Sequence, residues 1–322
     1  MRPLTVWVLG TSTDPHLARL AQLASDVTFV VADHPQGFDD APEPEALLYW
    51  RGGRALLEAA WTKARGVRWV HVPSAGLDQI LFPALTRSPV VLTHAHGDFS
   101  RILAEFVMSA VLFFAKDLRR MLRSQAAARW DPFDVDELHG RVMGIVGYGD
   151  IGAAVAERAR AFGMPVLALR RRPELSRDDP RIQEALPVTA RLELMRRSDY
   201  VVIAAPLTPE THGLVGTAEI EAMRPTAVLV NVGRGAVVDE PALVRALEQG
   251  RIRGAALDVF EEEPLPGGHP FYRLENVLLS PHCADHTAGW RDGLVDRFLE
   301  NLRRFRGGEA LANVVTDKER GY

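Results

Sequence analysis

The sequence predicts an α/β protein built from two doubly wound parallel sheets. Three observations carry this. The first hundred residues alternate β-branched runs with helical patterns, and a second alternating series begins at Arg141. Between them, Ser100 to Leu122 reads as one long helix. Strand and helix in alternation require crossover connections, hence parallel sheets covered by helices. The length of 322 residues suits about two domains at ~150 residues each.

In the first series, Val6–Leu9, Val27–Val31, Ala46–Trp50, Val67–Val72 and Val90–Thr93 are expected as strands. Pro15–Ala24 and Ala55–Ala64 carry apolar residues at helical spacing. In Ser100–Leu122 the apolar band is wide, which predicts burial between domains or subunits. In the second series the strands are Val142–Val146, Pro165–Leu169, Tyr200–Ala204, Ala227–Asn231, Gly254–Leu257 and Val277–Leu279. Helices fit Ile151–Phe162, Leu192–Arg197, Thr217–Met223, Glu240–Gln249 and Ala288–Phe305. No internal repeat and no Gly/Ser linker interrupts the chain, so the boundary between domains is expected at an ordered element.

Composition narrows the function classes. At 47% hydrophobic and 25% charged residues, the chain is neither disordered nor collagen-like. Its longest uncharged apolar stretch, Phe106 to Ala115, is half the ~20 residues that a membrane span needs. The amino terminus lacks a small-residue cleavage site and reads as no signal peptide. Cys283 is the single cysteine, which suits a reducing cytoplasm. A net charge of −4 argues against nucleic acid as the partner. Lysine occurs at positions 63, 116 and 318 among 38 basic residues, so arginine is abundant and each one must be argued by position.

The first functional signal is a glycine loop. Gly147-Tyr148-Gly149-Asp150-Ile151-Gly152 directly follows a strand and opens a helix. This setting raises G-x-G-x-x-G from a weak motif to a strong one. Gly147 permits the tight turn, Gly149 lets backbone approach a pyrophosphate, and Gly152 lets helix and strand pack closely. The helix N-terminus then offers free N–H groups to the phosphates. An NAD enzyme needs a ribose-binding carboxylate about 20 residues on. Here Arg170, Arg171 and Arg172 occupy that register, with no carboxylate until Glu174. Guanidiniums would pair instead with a 2′-phosphate, which predicts NADP, with NAD possible. The alternative is arginine bias on a solvated turn.

Three polar groups follow strands later in the chain. Arg234 sits in Asn231-Val232-Gly233-Arg234-Gly235, an acidic run spans Asp258 to Glu263, and His282 follows Ser280-Pro281. Each sits just past a strand in the same sheet, where parallel sheets bind ligands. Together they supply an anion clamp, a carboxylate and a proton donor.

These stretches resemble the D-isomer-specific 2-hydroxyacid dehydrogenase family, which includes glyoxylate/hydroxypyruvate reductases and phosphoglycerate dehydrogenases. The matching segments are VGYGDIG (146–152), APLTPETHGLVG (205–216), LVNVGRGAVVDEPAL (229–243), ALDVFEEEPLP (256–266) and SPHCADHT (280–287), with VPSAGLDQI (72–80) similar to the substrate loop. The resemblance implies a Rossmann-type nucleotide domain, residues 99–286, inserted in a flavodoxin-like substrate domain, residues 1–98 and 287–322. It assigns Arg234, Glu263 and His282 as the catalytic trio. It implies that Ala75 and Gly76 offer amides to the substrate carboxylate, and that Pro206, Thr211, Val232, Gly233, Asp258 and Ala284 line the cofactor. Trp50, Arg51 and Trp290 are candidates for the pocket wall. A homodimer is expected, because the family dimerises through its nucleotide domains.

The implied activity is hydride transfer between NADP(H) and a small 2-oxo or 2-hydroxy acid of D configuration, with glyoxylate or hydroxypyruvate favoured. The alternative is a dinucleotide-sensing binding protein of the co-repressor type on the same fold. A formate-dehydrogenase-like reading is weaker, because that branch has Gln at the position of Glu263. Two departures stand out: the arginine triplet, and Cys283-Ala284-Asp285-His286, where small residues are more usual. Cys283 has no apparent activating partner as a nucleophile. His94 and His96 lack a nearby carboxylate pattern, so no metal is expected.

Overall fold

The computed structural model describes residues 3–23 and 26–321. They form two compact units, one running to Asp98 and resuming at Thr287, the other Phe99–His286.

In the first unit, β1 (Leu4–Leu9), β2 (Val27–Ala32), β3 (Ala46–Tyr49), β4 (Trp69–Val72) and β5 (Val91–His94) form one sheet. Their order is β2-β1-β3-β4-β5 and every pair is parallel, the 2-1-3-4-5 arrangement of flavodoxin-like sheets. Because successive side chains alternate between faces, β4 sends Val70 and Val72 one way and Trp69 and His71 the other. Val70 and Val72 join a core with Trp7, Leu47 and Leu57. Trp69 stacks on Phe298 of the helix Trp290–Gly307, ring centroids 5.3 Å apart. The end of the chain therefore supplies the second cover of the first sheet, which is why both ends share one unit. The stretch expected as a helix from Pro15 to Ala24 is a 3-10 helix over Pro15–Leu23, and Ala24 lies outside the described residues.

The second unit holds β6 (Met143–Val146), β7 (Val166–Leu169), β8 (Glu184–Leu186), β9 (Tyr200–Ile203), β10 (Val228–Asn231), β11 (Gly254–Leu257) and β12 (Val277–Leu279). The order is β12-β11-β10-β9-β6-β7-β8, all parallel, so the winding reverses between β6 and β9. Six of these strands are close to their sequence expectation. β8 is absent from it: three residues that begin with Glu184 carry no readable period, and only pairing with β7 makes them a strand.

The region 100–122 is the main correction. It is two helices, Ser100–Ala115 and Leu118–Ala126. The Arg253 guanidinium donates to the Phe114 carbonyl at the end of the first. Asp117 then turns left-handed, φ 46°, and its carboxylate accepts the Arg120 amide to start the second. The apolar face, with Leu103, Val107, Val111 and Phe114, is buried inside the second unit against the helix Asp150–Ala161 and β10. Other boundaries move by one or two residues. Among the described residues no helix is long and apolar enough to cross a membrane.

Candidate active site

Parallel register aligns the strand ends. Leu169 pairs with Val146, Val146 with Ile203, Ile203 with Asn231, Asn231 with Leu257 and Leu257 with Leu279. The residues that follow this row all leave at one edge: Arg170, Gly147, Ala204, Val232, Asp258 and Ser280. Every candidate of the second unit is carried by these six loops or by the first turns beyond them.

On the β12 loop, His282 has φ 49°, a left-handed conformation uncommon for a bulky side chain. Asp258 explains how it is held. This residue is 2% exposed, and its Oδ1 accepts the Ser280 hydroxyl at 2.5 Å and the amides of Cys283 at 2.9 Å and Ala284 at 3.1 Å. The loop is thus bent around one carboxylate oxygen. Burial pushes the Asp258 carboxyl up, against the pull of these bonds.

The bend brings Nδ1 of His282 to 2.6 Å from Oε2 of Glu263, while Oε1 of Glu263 accepts the Phe260 amide at 2.9 Å. Glu263 accordingly holds the ring by one oxygen and the chain by the other. The bond to Glu263 raises the His282 pKa, against its burial and the charge of Arg234. Burial alone would raise Glu263, but the bonds from His282 and Phe260, with the charges of His282 and Arg234, bring it below the ordinary carboxylate value. The pair borders a cavity of about 530 Å³ whose other walls include Phe260, Leu265, Tyr272 and Leu279.

Arg234 is positioned by Asn231, which is 1% exposed at the end of β10. Asn231 accepts the Gly233 amide at 3.0 Å and donates to the Arg234 carbonyl at 3.0 Å. Arg234 also donates from Nη1 to the Gly233 carbonyl at 2.8 Å. Gly235 lies so close to Phe260 that a Cβ would sit 1.9 Å from its carbonyl carbon, so the Arg234 loop and the Glu263 loop pack without a gap.

The glycine loop fits a dinucleotide. Gly147 has φ +93°, and a Cβ there would meet the Ala205 amide nitrogen at 2.5 Å. A Cβ on Gly152 would meet the Gly147 carbonyl at 2.6 Å. Around Gly149 there is nothing within 4 Å of the Cβ position, so its backbone faces open space. Gly149 also N-caps the helix Asp150–Ala161 and places no side chain over its first amides. Asp150 is exposed there and Ile151 half-buried. Tyr148 points elsewhere: it is buried, and its hydroxyl donates to Asp179 at 3.0 Å. Val232 is buried beside Gly233, whose missing Cβ avoids the Ala205 carbonyl by design of the turn: the contact would be 2.7 Å. Thr211 donates to the Pro206 carbonyl at 2.6 Å and closes that loop. At the end of β7, Arg170 is half-buried and donates to Ser176, while Arg171 and Arg172 are exposed.

Residues 108–284 match the family described as D-isomer specific 2-hydroxyacid dehydrogenase, NAD binding domain. A glyoxylate reductase of Thermococcus gammatolerans is 36% identical over 254 residues, covering 75% of this chain and 74% of that protein. The chain belongs to the D-isomer specific 2-hydroxyacid dehydrogenase family. Two solved structures are similar throughout. One, from Xanthobacter autotrophicus Py2 in complex with NADPH and MES, is 30% identical, with a TM-score of 0.81 and 99% of each chain covered. The other, an NADPH-dependent glyoxylate/hydroxypyruvate reductase of Sinorhizobium meliloti in complex with NADP and sulfate, is 25% identical, with a TM-score of 0.83 and 99% and 100% of the chains covered.

In the first unit of this dehydrogenase, Ala75 and Gly76 lie half-buried after β4. Three bonds hold their loop: the Ala95 amide to the Ser74 carbonyl at 3.1 Å, His94 Nδ1 to the Ala75 carbonyl at 3.0 Å, and the Ser74 hydroxyl to the Gly76 carbonyl at 2.7 Å. His94 stacks on His96. Trp50 is 8% exposed and its indole N–H donates to Asp14 at 2.9 Å, so it is a packed residue. Arg51 is exposed, and Trp290 is half-buried under the Arg291 guanidinium.

Asn231, Ser280 and Asp179 escaped the sequence reading, and so did the loop-bending role of Asp258. Asn231 and Ser280 stand at the ends of apolar strands, and a polar residue ending a buried strand is a legible signal. Asp179 has none, because its bond to Tyr148 comes from outside its own loop.

Proposed function

We propose that this dehydrogenase is an NADPH-linked reductase of small 2-oxo acids, with glyoxylate or hydroxypyruvate as substrate and the 2-hydroxy acid as product, of D configuration where the product is chiral. The observation that carries the reading is the 2.6 Å contact between His282 and Glu263 on the sheet edge that also bears the glycine loop. Gly147 to Gly152 would hold the pyrophosphate, and Arg170, Arg171 and Arg172 the 2′-phosphate, with Pro206, Thr211, Val232, Gly233 and Ala284 lining the same edge. When bound, NADPH supplies the hydride to the carbonyl carbon.

The remaining work belongs to the side chains. His282, whose protonated form Glu263 favours, gives its Nε2 proton to the carbonyl oxygen as negative charge develops there. Glu263 fixes the ring orientation and lowers the cost of its charge. Arg234 polarises the carbonyl and holds the carboxylate, which restricts the substrate to one orientation.

The relatives support this choice of substrate: the Sinorhizobium meliloti protein is an NADPH-dependent glyoxylate/hydroxypyruvate reductase. A steady-state panel of 2-oxo acids with NADPH and NADH is the test. Turnover of glyoxylate or hydroxypyruvate is expected. Tight dinucleotide binding without turnover of any 2-oxo acid would instead favour a sensor.

The protein is further proposed to work in the cytoplasm as a homodimer. Leu118, Met121, Leu122 and Trp130 are exposed on the second unit, Trp130 at 97%, which favours a self-complementary apolar contact there. Light scattering at micromolar concentration should give twice the chain mass of 35.6 kDa.

A further inference from the structure

The loop that begins with the arginine turn also carries a carboxylate. Asp179, between β7 and β8, accepts the Tyr148 hydroxyl at 3.0 Å and is thereby tied to the glycine loop. Arg181 grips the same carboxylate as a fork, Nε to Oδ1 at 2.8 Å and Nη2 to Oδ2 at 2.7 Å, and adds its amide at 3.0 Å. The Asp179 side chain is 12% exposed and that of Arg181 45%. The Arg181 fork holds the Asp179 carboxyl down at about 2, so it is ionised at any working pH. Arg170 donates to the Ser176 hydroxyl and the Asp179 amide donates to the Ser176 carbonyl at 3.3 Å, which puts Asp179 in the neighbourhood of Arg170. An ionised carboxylate beside a dinucleotide loop is what favours ribose hydroxyls and repels a 2′-phosphate. Here both of its oxygens are already engaged.

We propose that Arg181 determines cofactor choice by neutralising Asp179, so that this carboxylate does not oppose a 2′-phosphate at the turn Arg170–Arg172. The proposal rests on the NADP reading of the arginine turn. Arg181 acts through Asp179 and is a positioning residue, with the bidentate geometry that Lys could not reproduce.

The test is calorimetric titration of the full chain with adenosine 2′,5′-bisphosphate and with 5′-AMP, which reads binding without turnover. Arg181→Ala should weaken the bisphosphate about tenfold, the effect of one uncompensated charge at this range, and change 5′-AMP less than about twofold. Arg181→Gln, which removes the charge but can still donate to Asp179, should do the same. Adding Asp179→Asn to Arg181→Ala should restore bisphosphate binding to within about threefold of wild type. An Arg181→Ala protein that binds both ligands as before, or loses both equally, overturns the proposal. A double variant that stays weak also overturns it, because Arg181 would then touch the phosphate itself. Equal binding of the two ligands by wild type would remove the NADP reading before any variant is made.

Discussion

Glu263 and His282, on the loops that follow two neighbouring strands, meet through Oε2 and Nδ1 at 2.6 Å, and the Phe260 amide pins the other carboxylate oxygen. The ring therefore has one tautomeric duty on this side: Nδ1 donates to Glu263, which leaves Nε2 for chemistry.

The sign of the pH dependence follows. Because Glu263 raises the His282 pKa, the imidazolium persists above the ordinary value near 6.5. Reduction of the 2-oxo acid needs that proton, so kcat/KM should be level at low pH and fall as pH rises through the raised pKa. Oxidation of the hydroxy acid should show the opposite limb. Glu263→Gln should move the reductive limb to lower pH and cut turnover about 10- to 100-fold, and His282→Ala about 10²- to 10⁴-fold with NADPH binding retained. Unchanged turnover in His282→Ala would refute its role as proton donor.

Arg170 directly follows β7, and the NADP reading gives it the place of a ribose-binding carboxylate. Wild type should show a KM for NADPH roughly 10- to 100-fold below that for NADH, shrinking at high salt. Arg170→Asp should reverse the order. Measuring both KM values at two ionic strengths decides the matter, since an unaltered ratio in the variant reduces the arginines to composition.

Gly147 and Gly149 make a contrasting pair. Gly147→Ala forces a Cβ at φ +93° to within 2.5 Å of the Ala205 nitrogen, so it should destabilise the protein by about 1–3 kcal/mol. Gly149→Ala meets nothing in the folded chain and should leave the denaturant midpoint unchanged. If the dinucleotide approaches at Gly149, the same variant should still weaken NADPH binding several-fold. Chemical denaturation with fluorescence titration separates the two effects.

His71 predicts acid sensitivity of the first unit. It is fully buried, its Nδ1 is 2.7 Å from the Thr93 hydroxyl, and its Nε2 has no partner among the described residues. Burial holds its pKa down at about 3, so the folded ring stays neutral while the unfolded one takes a proton near 6.5. Between those values the unfolded chain binds more protons, so this contribution to stability is present above pH 6.5 and is lost as pH falls. The loss should be roughly 2 kcal/mol by pH 5. His71→Phe should flatten that slope in urea melts at pH 5 and 7. An equal slope in both proteins would assign the acid sensitivity to other groups.

What the sequence determined by itself was whatever is local or periodic: two α/β alternations, the glycine turn with its strand and helix, and the run of arginines after β7. A period of two or of 3.6, or a required positive φ, is written within a few residues, so Val166–Leu169 and Asp150–Ala161 could be read without their neighbours. Tertiary structure decided what depends on a partner far along the chain. Arg253, a residue of the β10–β11 connection, caps Phe114 where the long helical pattern breaks at Asp117. β8 exists because β7 offers it an edge. Asp258 was visible as an acid, but only the folded loop shows its carboxylate bending the chain at His282. Asp179 shows the same limit, since its meeting with Tyr148 depends on how two loops at one sheet edge fold back, and no propensity of either loop encodes that.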